Sequence, residues 1–424
     1  MAASPMAATS RMETTETAPS IQEIARLAAQ SRVQSAFTWF AANEPRIAAW
    51  QMQLAAIPGP PFGESQRAAW VAERFRELGL AEVHTDEVGN VIGTRRGTDP
   101  TAKFIAVSAH IDTVFPAGTS VQPRREGNRL FGPGISDNGA GVSALLAISA
   151  ALQSAKIKHD APVVFIGNVG EEGEGDLRGM RHIFSDPHWS EEIAATLVLD
   201  GAGTDTIVAE ALGSRRFEIV VRGPGGHSWS DFGIPNPIIL LARAIERFSQ
   251  VRVSAVPKTT FNIGVIRGGT SVNSIPESAS MRVDIRSTSS TEIDRLEAAL
   301  RAALDQALGA ERQTRPGNST PKTSPITYEA VVIGSRPAGE LDGNARILRV
   351  IRAVDSHLQN SSQVQRASTD ANIPLSLGRE AAAIGGGGAG GGAHTLQEWF
   401  DCSGRELALQ RILLSLLALA GANR

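Results

Sequence analysis

Short apolar runs alternate with longer segments that carry apolar residues at helical spacing through much of the chain. The runs at residues 103–109, 161–167 and 196–199 predict buried strands, because they are short and continuous. Helices are predicted for most of residues 21–80 and for residues 139–155, where small residues dominate. Buried strands that alternate with helices are typical of an α/β sheet covered on both faces.

The middle of the chain follows a different pattern. Strands that alternate apolar and polar residues are predicted at 217–222, 260–266, 280–285 and 326–333. Two amphipathic helices are predicted at 235–250 and 291–308, with Gly309 ending the second, and residues 311–325 are predicted to form a loop. We therefore predict an α/β domain of residues 21–212 and 338–424, interrupted by an α+β domain of residues 213–337 and preceded by a mobile tail of residues 1–20.

Composition and charge exclude several classes of protein. Of 424 residues, 42% are hydrophobic and 20% are charged, as in an ordinary globular protein. The formal net charge of −3 gives no net positive charge that would attract nucleic acid or an anionic membrane surface. The longest apolar stretch, residues 407–420, is interrupted by Gln410 and Arg411 and is too short to span a bilayer. We expect a soluble, cytoplasmic protein with no nucleic-acid or membrane partner.

The single cysteine, Cys402, restricts the chemistry further. It cannot form a disulfide within the chain, and it cannot supply a cysteine-rich zinc site. Any metal must therefore be bound by some of the eight histidines together with aspartate and glutamate.

Histidine and acidic residues follow the predicted strands at the point where each strand ends. The candidates are His110 and Asp112, then Glu171 and Glu172, then Asp200, with Asp137 in the turn before a helix and His394 after the glycine run 385–392. In open α/β sheets, sites form beyond the carboxyl ends of the strands. Singly, each has an ordinary interpretation: a helix N-cap for Asp137, a solvated acidic loop for the two glutamates, a flexible linker for the glycine run. Together they match the nitrogen and oxygen ligands of zinc.

The spacing of these residues adds two roles. Residues two apart on an extended segment point the same way, so Asp112 can accept the free ring N–H of His110 and orient it. Adjacent residues point apart, so one of Glu171 and Glu172 can bind a metal while the other faces a bound water as a general base.

The same residues lie in a series of motifs: SAHIDTVFP, GPGISDNGAG, GNVGEEGEGDLRGM, VLDG, GGHS, SVNSIP, DIRS and GGGAH. The series spans about residues 60–400 and resembles, in content and order, the di-zinc exopeptidase family that includes peptidase T, carboxypeptidase G and the aminoacylases. The stretch GSRPAGELD and the triplet Thr369-Asp370-Ala371 favour the peptidase T-like branch. The resemblance implies a mixed-sheet, three-layer α/β catalytic domain with an inserted α+β lid or dimerisation domain.

The resemblance also implies a role for each candidate residue. One zinc ion would be bound by His110, Asp137 and Asp200, and a second by Asp137, Glu172 and His394, so that Asp137 bridges the two. Asp112 would orient His110, and Glu171 would be the general base acting on the water between the metals. Cobalt or manganese could replace zinc.

The inserted domain would contribute residues that contact the substrate. The resemblance implies that His227 reaches the scissile carbonyl, often in the partner subunit's site, and that Asn273 and Arg286 hold polar and carboxylate parts of the substrate. His227 could instead cap a turn, and Arg286 could be a surface residue of a strand. A homodimer that pairs through the lid domain is expected.

One position departs from the pattern of many relatives, which carry Asp directly after the bridging Asp. Here that residue is Asn138, which lowers the local negative charge without removing the bridging carboxylate. Since the peptide after the bridging Asp is often cis in this family, we predict a cis bond between Asp137 and Asn138.

Three functions follow from these residues. The first is a zinc-dependent metallopeptidase that hydrolyses short peptides, such as di- or tripeptides, in an aminopeptidase-like manner with water activated by Glu171. The alternative is an amidohydrolase that cleaves N-acyl or N-carbamoyl amino acids. The sequence separates these two kinds of enzyme poorly, because they differ in the lining of the substrate pocket. A non-catalytic metal-binding or scaffold protein is disfavoured, because Glu171 and every expected ligand are present.

Overall fold

The computed structural model describes residues 19–120, 122–313 and 325–422. Of the predicted tail, residues 1–18 lie outside these ranges, and so do residues 314–324 of the predicted loop. Ser20 caps the first helix, because its hydroxyl accepts a hydrogen bond from the backbone N–H of Glu23.

The helices of the described residues are α1 (Ile21–Ala28), α2 (Ser31–Ala42), α3 (Glu44–Ala55), α4 (Ser65–Glu77), α5 (Gly139–Ser154), α6 (Arg178–Ser185), α7 (Pro187–Glu192), α8 (Pro237–Ser249), α9 (Ser290–Gln313), α10 (Arg346–Leu358), α11 (Asn372–Ser376) and α12 (Arg405–Ala420). The strands before the middle of the chain are β1 (Ala81–Thr85), β2 (Val91–Arg95), β3 (Phe104–His110), β4 (Arg124–Glu126), β5 (Arg129–Phe131), β6 (Val163–Asn168), β7 (Ile193–Leu199) and β8 (Thr206–Ala211). The remaining strands are β9 (Gly213–Arg222), β10 (Gly226–His227), β11 (Thr259–Gly268), β12 (Ser274–Ile275), β13 (Ser278–Ser287), β14 (Thr327–Arg336), β15 (Gly339–Glu340), β16 (Gln363–Ala367), β17 (Glu380–Ile384), β18 (Ala389–Gly391) and β19 (Trp399–Asp401).

A large mixed sheet forms the centre of the molecule. Its strand order is β1-β2-β6-β3-β7-β17-β8-β15, and β16 also pairs with β8. The central strands β6, β3, β7 and β17 run parallel, whereas β1, β2, β8 and β15 pair antiparallel with their neighbours in that order. The prediction of a mixed-sheet α/β fold is confirmed, although the short helices α6 and α7 and the strand β8 were not predicted from the sequence.

Alternate residues of the central strands face two different cores. On β3, Ile105 and Val107 belong to the large core that contains α5 and α12, whereas Ala106 belongs to a smaller core with Ile183 of α6. Because strand side chains point alternately to the two faces, a strand that is apolar throughout must be covered on both sides. The sheet is therefore the middle layer of three.

A second sheet and two helices form the inserted segment. Its strand order is β11-β13-β9-β14, with every pair antiparallel. Phe217 and Ile219 of β9 pack under α8 and α9 in a separate hydrophobic core, so the opposite face of this sheet carries the intervening polar residues. Residues Gly213 and Ala338 lie next to each other where the chain enters and leaves this segment. These contacts support the division at residues 212/213 and 337/338, which we propose as the domain boundaries.

The prediction that Gly309 ends the second amphipathic helix is wrong. Helix α9 continues through Gly309 to Gln313. Beyond the glycine, the buried carboxylate of Glu311 accepts a hydrogen bond from the backbone N–H of Asn236 and pairs with Arg243 at 3.3 Å. These contacts with the N-cap and the middle of α8 hold the last turn of α9, and they outweigh the loss of about 1 kcal/mol that an internal glycine causes.

Two small sheets complete the fold. Strands β18, β19, β5 and β4 form one, which anchors the segment that carries His394, and β10 pairs with β12 in the other. Among the residues that the structure describes, none of the helices has the length and apolar character needed to cross a membrane.

Candidate metal centre and active site

Three neighbouring strands place candidate residues at one edge of the large sheet. Strands β6, β3 and β7 lie side by side and parallel, so their carboxyl ends meet. His110 is the last residue of β3, Glu171 and Glu172 come shortly after β6, and Asp200 directly follows β7. Asp137 lies just before α5, and His394 is reached from β18.

Two groups of three residues bring their ligand atoms close together, within 4.8 Å in each group. In the first, His110 Nε2 lies 3.2 Å from Asp137 Oδ1 and 3.7 Å from Asp200 Oδ1. In the second, His394 Nε2 lies 3.1 Å from Asp137 Oδ2 and 2.9 Å from Glu172 Oε1. The two carboxylate oxygens of Asp137 therefore face different groups. The structure thus brings together the same two sets that the resemblance implied, with Asp137 between them.

The electrostatics of the two groups favour positive charge. Burial lowers the pKa of His110, but the neighbouring carboxylates, Asp112 first among them, raise it well above its ordinary value. The hydrogen bond to Asp137 raises the pKa of His394 to about 9. Burial raises the pKa of Glu172 to about 7, and the carboxylate of Asp137 adds to that rise. Crowded carboxylates around two imidazoles are stabilised by any cation that they share.

Asp112 is fully buried and contacts both sides of the site. One of its oxygens lies 3.5 Å from His110 Nδ1, and the two oxygens accept hydrogen bonds from the backbone N–H groups of Glu171 at 3.0 Å and Glu172 at 2.8 Å. Asp112 thus holds the loop after β6 against the end of β3. This role is additional to the predicted one, which was only to orient His110.

The turn before α5 directs Asp137 into the site. The helix is capped by Asn138, not Asp137, because Asn138 Oδ1 accepts from the backbone N–H of Gly141 at 2.9 Å. The amide nitrogen of Asn138 donates to the carbonyl of Leu199 at 2.9 Å, a bond that an aspartate there could not make. The peptide bond between Asp137 and Asn138 is cis, as predicted.

Glu398 is a buried residue of this site that sequence reasoning missed. Its carboxylate accepts hydrogen bonds from the backbone N–H groups of Gly134, Ser136 and Asp137, at 2.8, 2.7 and 2.7 Å. It therefore fixes the backbone that carries the shared carboxylate. The only sequence signal was its position four residues after His394.

Glu171 is buried beside the two groups and is held by Arg336, which was also missed. Arg336 Nη1 donates to Glu171 Oε1 at 2.8 Å and to Ser368 Oγ at 3.0 Å, and Nη2 donates to the backbone carbonyl of Glu171. Burial raises the pKa of Glu171 well above its ordinary value, and the guanidinium of Arg336 opposes that rise. The second oxygen, Oε2, accepts no hydrogen bond from the residues that the structure describes.

Asp370, in the triplet that favoured the peptidase T-like branch, lies fully buried behind the ligands. Its Oδ2 accepts a hydrogen bond from Asn168 Nδ2 at 2.6 Å, and Asn168 ends β6. Burial raises the pKa of Asp370 to about 7. The residue supports the strand end and does not line the cavity.

The cavity over the two groups has a volume of about 540 Å³. Its lining combines the metal-site residues with side chains of the inserted sheet, namely Ser214 and Arg216 of β9, Arg286 of β13 and Arg336 of β14. Arg286 is therefore placed where a substrate carboxylate could be held.

His227 and Asn273 do not line this cavity. They lie together on β10 and the turn before β12, where the backbone N–H of Ser228 donates to the carbonyl of Asn273 at 3.0 Å. The Nδ1 of His227 accepts hydrogen bonds from the backbone N–H groups of Trp229 and Ser230, so the ring does cap a turn. In the neutral ring the proton is then on Nε2, which faces solvent as a donor. Their contact with substrate stays a prediction.

Comparisons with known proteins place this arrangement in a family. The family model described as peptidase family M20/M25/M40 matches residues 106–418, well over half of the chain. The chain belongs to peptidase family M20/M25/M40. This membership confirms the predicted exopeptidase family and, at the level of the family, a hydrolase of peptide or amide bonds. The peptidase T-like branch stays a prediction.

The individual proteins that are similar to this M20-family chain are named for several different activities. A probable carboxypeptidase of Ajellomyces dermatitidis is 31% identical over 269 residues, which are 59% of this chain and 60% of that protein. A succinyl-diaminopimelate desuccinylase of Burkholderia cenocepacia is 26% identical over 255 residues, 56% of this chain and 67% of that protein. The crystal structure of aminopeptidase PepT from Bacillus cereus superposes with a TM-score of 0.71 at 20% identity, covering 89% of this chain and 99% of that chain. The structural likeness supports the fold.

Proposed function

We propose that this M20-family chain is a zinc-dependent metallopeptidase that hydrolyses the peptide bond of di- or tripeptides in an aminopeptidase-like manner. The observation that carries the proposal is the pair of three-residue groups that share Asp137, with Glu171 beside them in one cavity. The family supports the reaction class, and the substrate is our inference.

The donor atoms fit two divalent cations. His110, Asp137 and Asp200 would hold one ion, and Asp137, Glu172 and His394 the other, with nitrogen and carboxylate oxygen ligands that suit zinc and also accept cobalt or manganese. When bound, the ions would polarise the substrate carbonyl and lower the pKa of a water molecule. Asp112 would hold the ring of His110 in the orientation that directs Nε2 at the ion.

Glu171 would move the proton. Its Oε1 is held by Arg336, which leaves Oε2 to accept a proton from the attacking water and to donate it to the leaving nitrogen. Because Asp112 fixes the backbone of Glu171, the carboxylate has little freedom to turn away from the cavity.

The lid residues would bind the substrate. Arg286 would pair with a substrate carboxylate, since a guanidinium can donate two parallel hydrogen bonds to it. His227 would donate from Nε2 to the carbonyl oxygen as charge develops there, and Asn273 would hold polar groups, both in the cavity of a partner subunit in a homodimer. This arrangement would give a role to the exposed ring of His227, whose Nδ1 already accepts a hydrogen bond from the backbone.

A second candidate is an amidohydrolase that releases an acyl group from an N-acyl or N-carbamoyl amino acid. The desuccinylase relative favours it, because the same ligands and the same general base would serve that reaction. The two candidates differ in what binds on the amine side of the scissile bond.

The test is hydrolysis by zinc-loaded protein of a panel of di- and tripeptides, alongside N-acyl and N-carbamoyl forms of the same amino acids. We expect turnover of free peptides, lowered about 10²–10⁴-fold in Glu171→Gln with unchanged metal content. Glu174→Gln, in an exposed glutamate three residues away, is the matched control and keeps its activity. Turnover of acylated amino acids alone would establish the second candidate. No turnover of either set, or full activity in Glu171→Gln, would contradict the mechanism.

A further inference from the structure

The cavity wall formed by the inserted sheet carries one more guanidinium than the proposed function uses. In the register of β9 and β13, Arg286 is opposite Ser214 and Arg216 is opposite Asp284. Residues two apart share a face, so Arg216 and Arg286 are diagonal neighbours, with backbones roughly 7–8 Å apart. Both line the cavity that contains the two metal-site groups.

A single carboxylate orients both arginines. Asp284 Oδ1 lies 3.3 Å from Arg216 Nε, and Asp284 Oδ2 lies 2.6 Å from Arg286 Nε. Each bond uses only the Nε–H of its arginine. The terminal Nη1 and Nη2 groups of both side chains have no hydrogen-bond partner among the described residues, so two complete guanidinium forks stay available.

The charges on this wall do not balance. Arg216 and Arg286 carry two positive charges against the one negative charge of Asp284, whereas Arg336 in the same cavity is paired with Glu171. The side chains of Arg216 and Arg286 are 31% and 42% exposed, so each can be reached from the cavity. The side chain of Arg216 passes over Gly334 of β14. Its Cδ lies 3.6 Å from the position that a Cβ would take at Gly334, so the guanidinium group extends past β14.

We propose that Arg216 and Arg286 form a subsite for two carboxylates, which selects substrates whose leaving part is a dicarboxylic amino acid, aspartate or glutamate. Arg286 takes one carboxylate and Arg216 the other, each through its terminal fork. The subsite rests on the proposed function, because it orients an amide bond towards Glu171 and the two metal-site groups. It narrows the substrate from di- and tripeptides in general to dipeptides whose second residue is aspartate or glutamate, or, for the second candidate, to N-acyl forms of these two amino acids.

A purely structural role for Arg216 makes a different prediction. If Arg216 only neutralised Asp284, its replacement would lower the stability of the lid and the turnover of every substrate alike. The comparison therefore uses isosteric substrates that differ by one charge: Ala-Glu against Ala-Gln, and N-acetyl-Glu against N-acetyl-Gln.

For the zinc-loaded wild-type protein we expect kcat/KM for the Glu form to exceed that for the Gln form by about 10–100-fold, as for a hydrogen-bonded charge. Arg216→Gln removes most of that preference, because kcat/KM for the Glu form falls much further than kcat/KM for the Gln form, while Arg216→Lys retains part of the preference. Arg222→Gln, in an exposed arginine of the same strand, is the control and keeps the preference. Thermal melting of each variant separates loss of folding from loss of recognition.

Binding provides a second readout that needs no turnover. Titration calorimetry of zinc-loaded Glu171→Gln with free glutamate and free glutamine should show the same preference. Hydrolysis of peptides without preference for Glu over Gln would overturn the subsite and leave the proposed function standing. If no substrate is hydrolysed, the proposed function fails, and equal affinity for glutamate and glutamine would then overturn the subsite independently.

Discussion

The two walls of the cavity are built in different ways. On the sheet side, His110, Glu171 and Asp200 come from the ends of three parallel neighbouring strands. Buried Asp112 holds the backbone of Glu171, and buried Glu398 holds the backbone of Asp137. On the lid side, arginines come from three antiparallel strands and two of them are partly exposed. In the proposed function, the first wall would bind the metals and move the proton, and the second would bind the substrate.

The largest expected effect tests whether the lid completes the site of a second chain. His227→Ala should lower kcat by about 10²–10³-fold, because a donor to the developing oxyanion is lost. If the residue acts across a dimer, mixing His227→Ala with Glu171→Gln subunits should restore activity, up to about a quarter of wild type for random exchange in a two-fold dimer. Ser230→Ala, in the same turn, is the control.

Failure of that mixture to recover activity, together with a strict monomer in light scattering, would show that the lid of this chain acts only on its own cavity. The homodimer would then be rejected, although the cavity and the metal groups would not be affected.

The contact between the two walls is tested by Arg336. Arg336→Met frees the carboxylate of Glu171 and should lower kcat by about 10²-fold through loss of its positioning, with little change in KM. Arg336→Lys should recover part of the rate, because one hydrogen bond can still form. A rise in KM with kcat unchanged would instead assign Arg336 to substrate binding.

The rigidity of the sheet wall is tested by Glu398. In Glu398→Ala the backbone N–H groups of Gly134, Ser136 and Asp137 lose their acceptor. We expect zinc affinity to fall about 10–100-fold, as for other residues that support metal ligands. Competition with a chromophoric chelator measures it, with Glu406→Ala, on the first turn of α12, as control. Unchanged affinity would mean that the turn holds its shape without Glu398.

The smallest expected effect on activity concerns the core behind the sheet wall. Burial raises the pKa of Cys402 to about 11, so at pH 8 the thiol is protonated in the folded protein. Since only the thiolate reacts, alkylation of the folded protein should be about 10²-fold slower than that of the urea-unfolded protein, and activity should be unaffected. Rapid alkylation of the folded protein would indicate that this core opens to solvent.

The contrast between the walls also explains what the sequence could predict. Parallel strands align their carboxyl ends, so residues that directly follow apolar runs, such as His110 and Asp200, could be grouped from their positions alone. Arg336 and Glu398 could not, because they contact residues 165 and 261 positions away and no local pattern marks those contacts. Strand alternation places Arg216 on a face, but only the position of the inserted sheet shows that this face lines the cavity.

One local prediction failed, and one ordinary interpretation applies to the neighbouring residue instead, for similar reasons. Gly309 is a good helix stop in isolation, yet the tertiary contacts of Glu311 extend α9 past it. The N-cap of α5 falls on Asn138 because its amide also binds the carbonyl of Leu199 on the neighbouring strand, which leaves the carboxylate of Asp137 free for the site.

The most direct test of the shared two-metal site is the number of zinc ions bound per chain, measured by elemental analysis after saturation and removal of free metal. A shared two-metal site predicts two ions for the wild type, one for His394→Ala, and neither retained by Asp137→Ala, because that carboxylate serves both groups. Two ions retained by Asp137→Ala, or a single ion in the saturated wild type, would contradict a shared two-metal site.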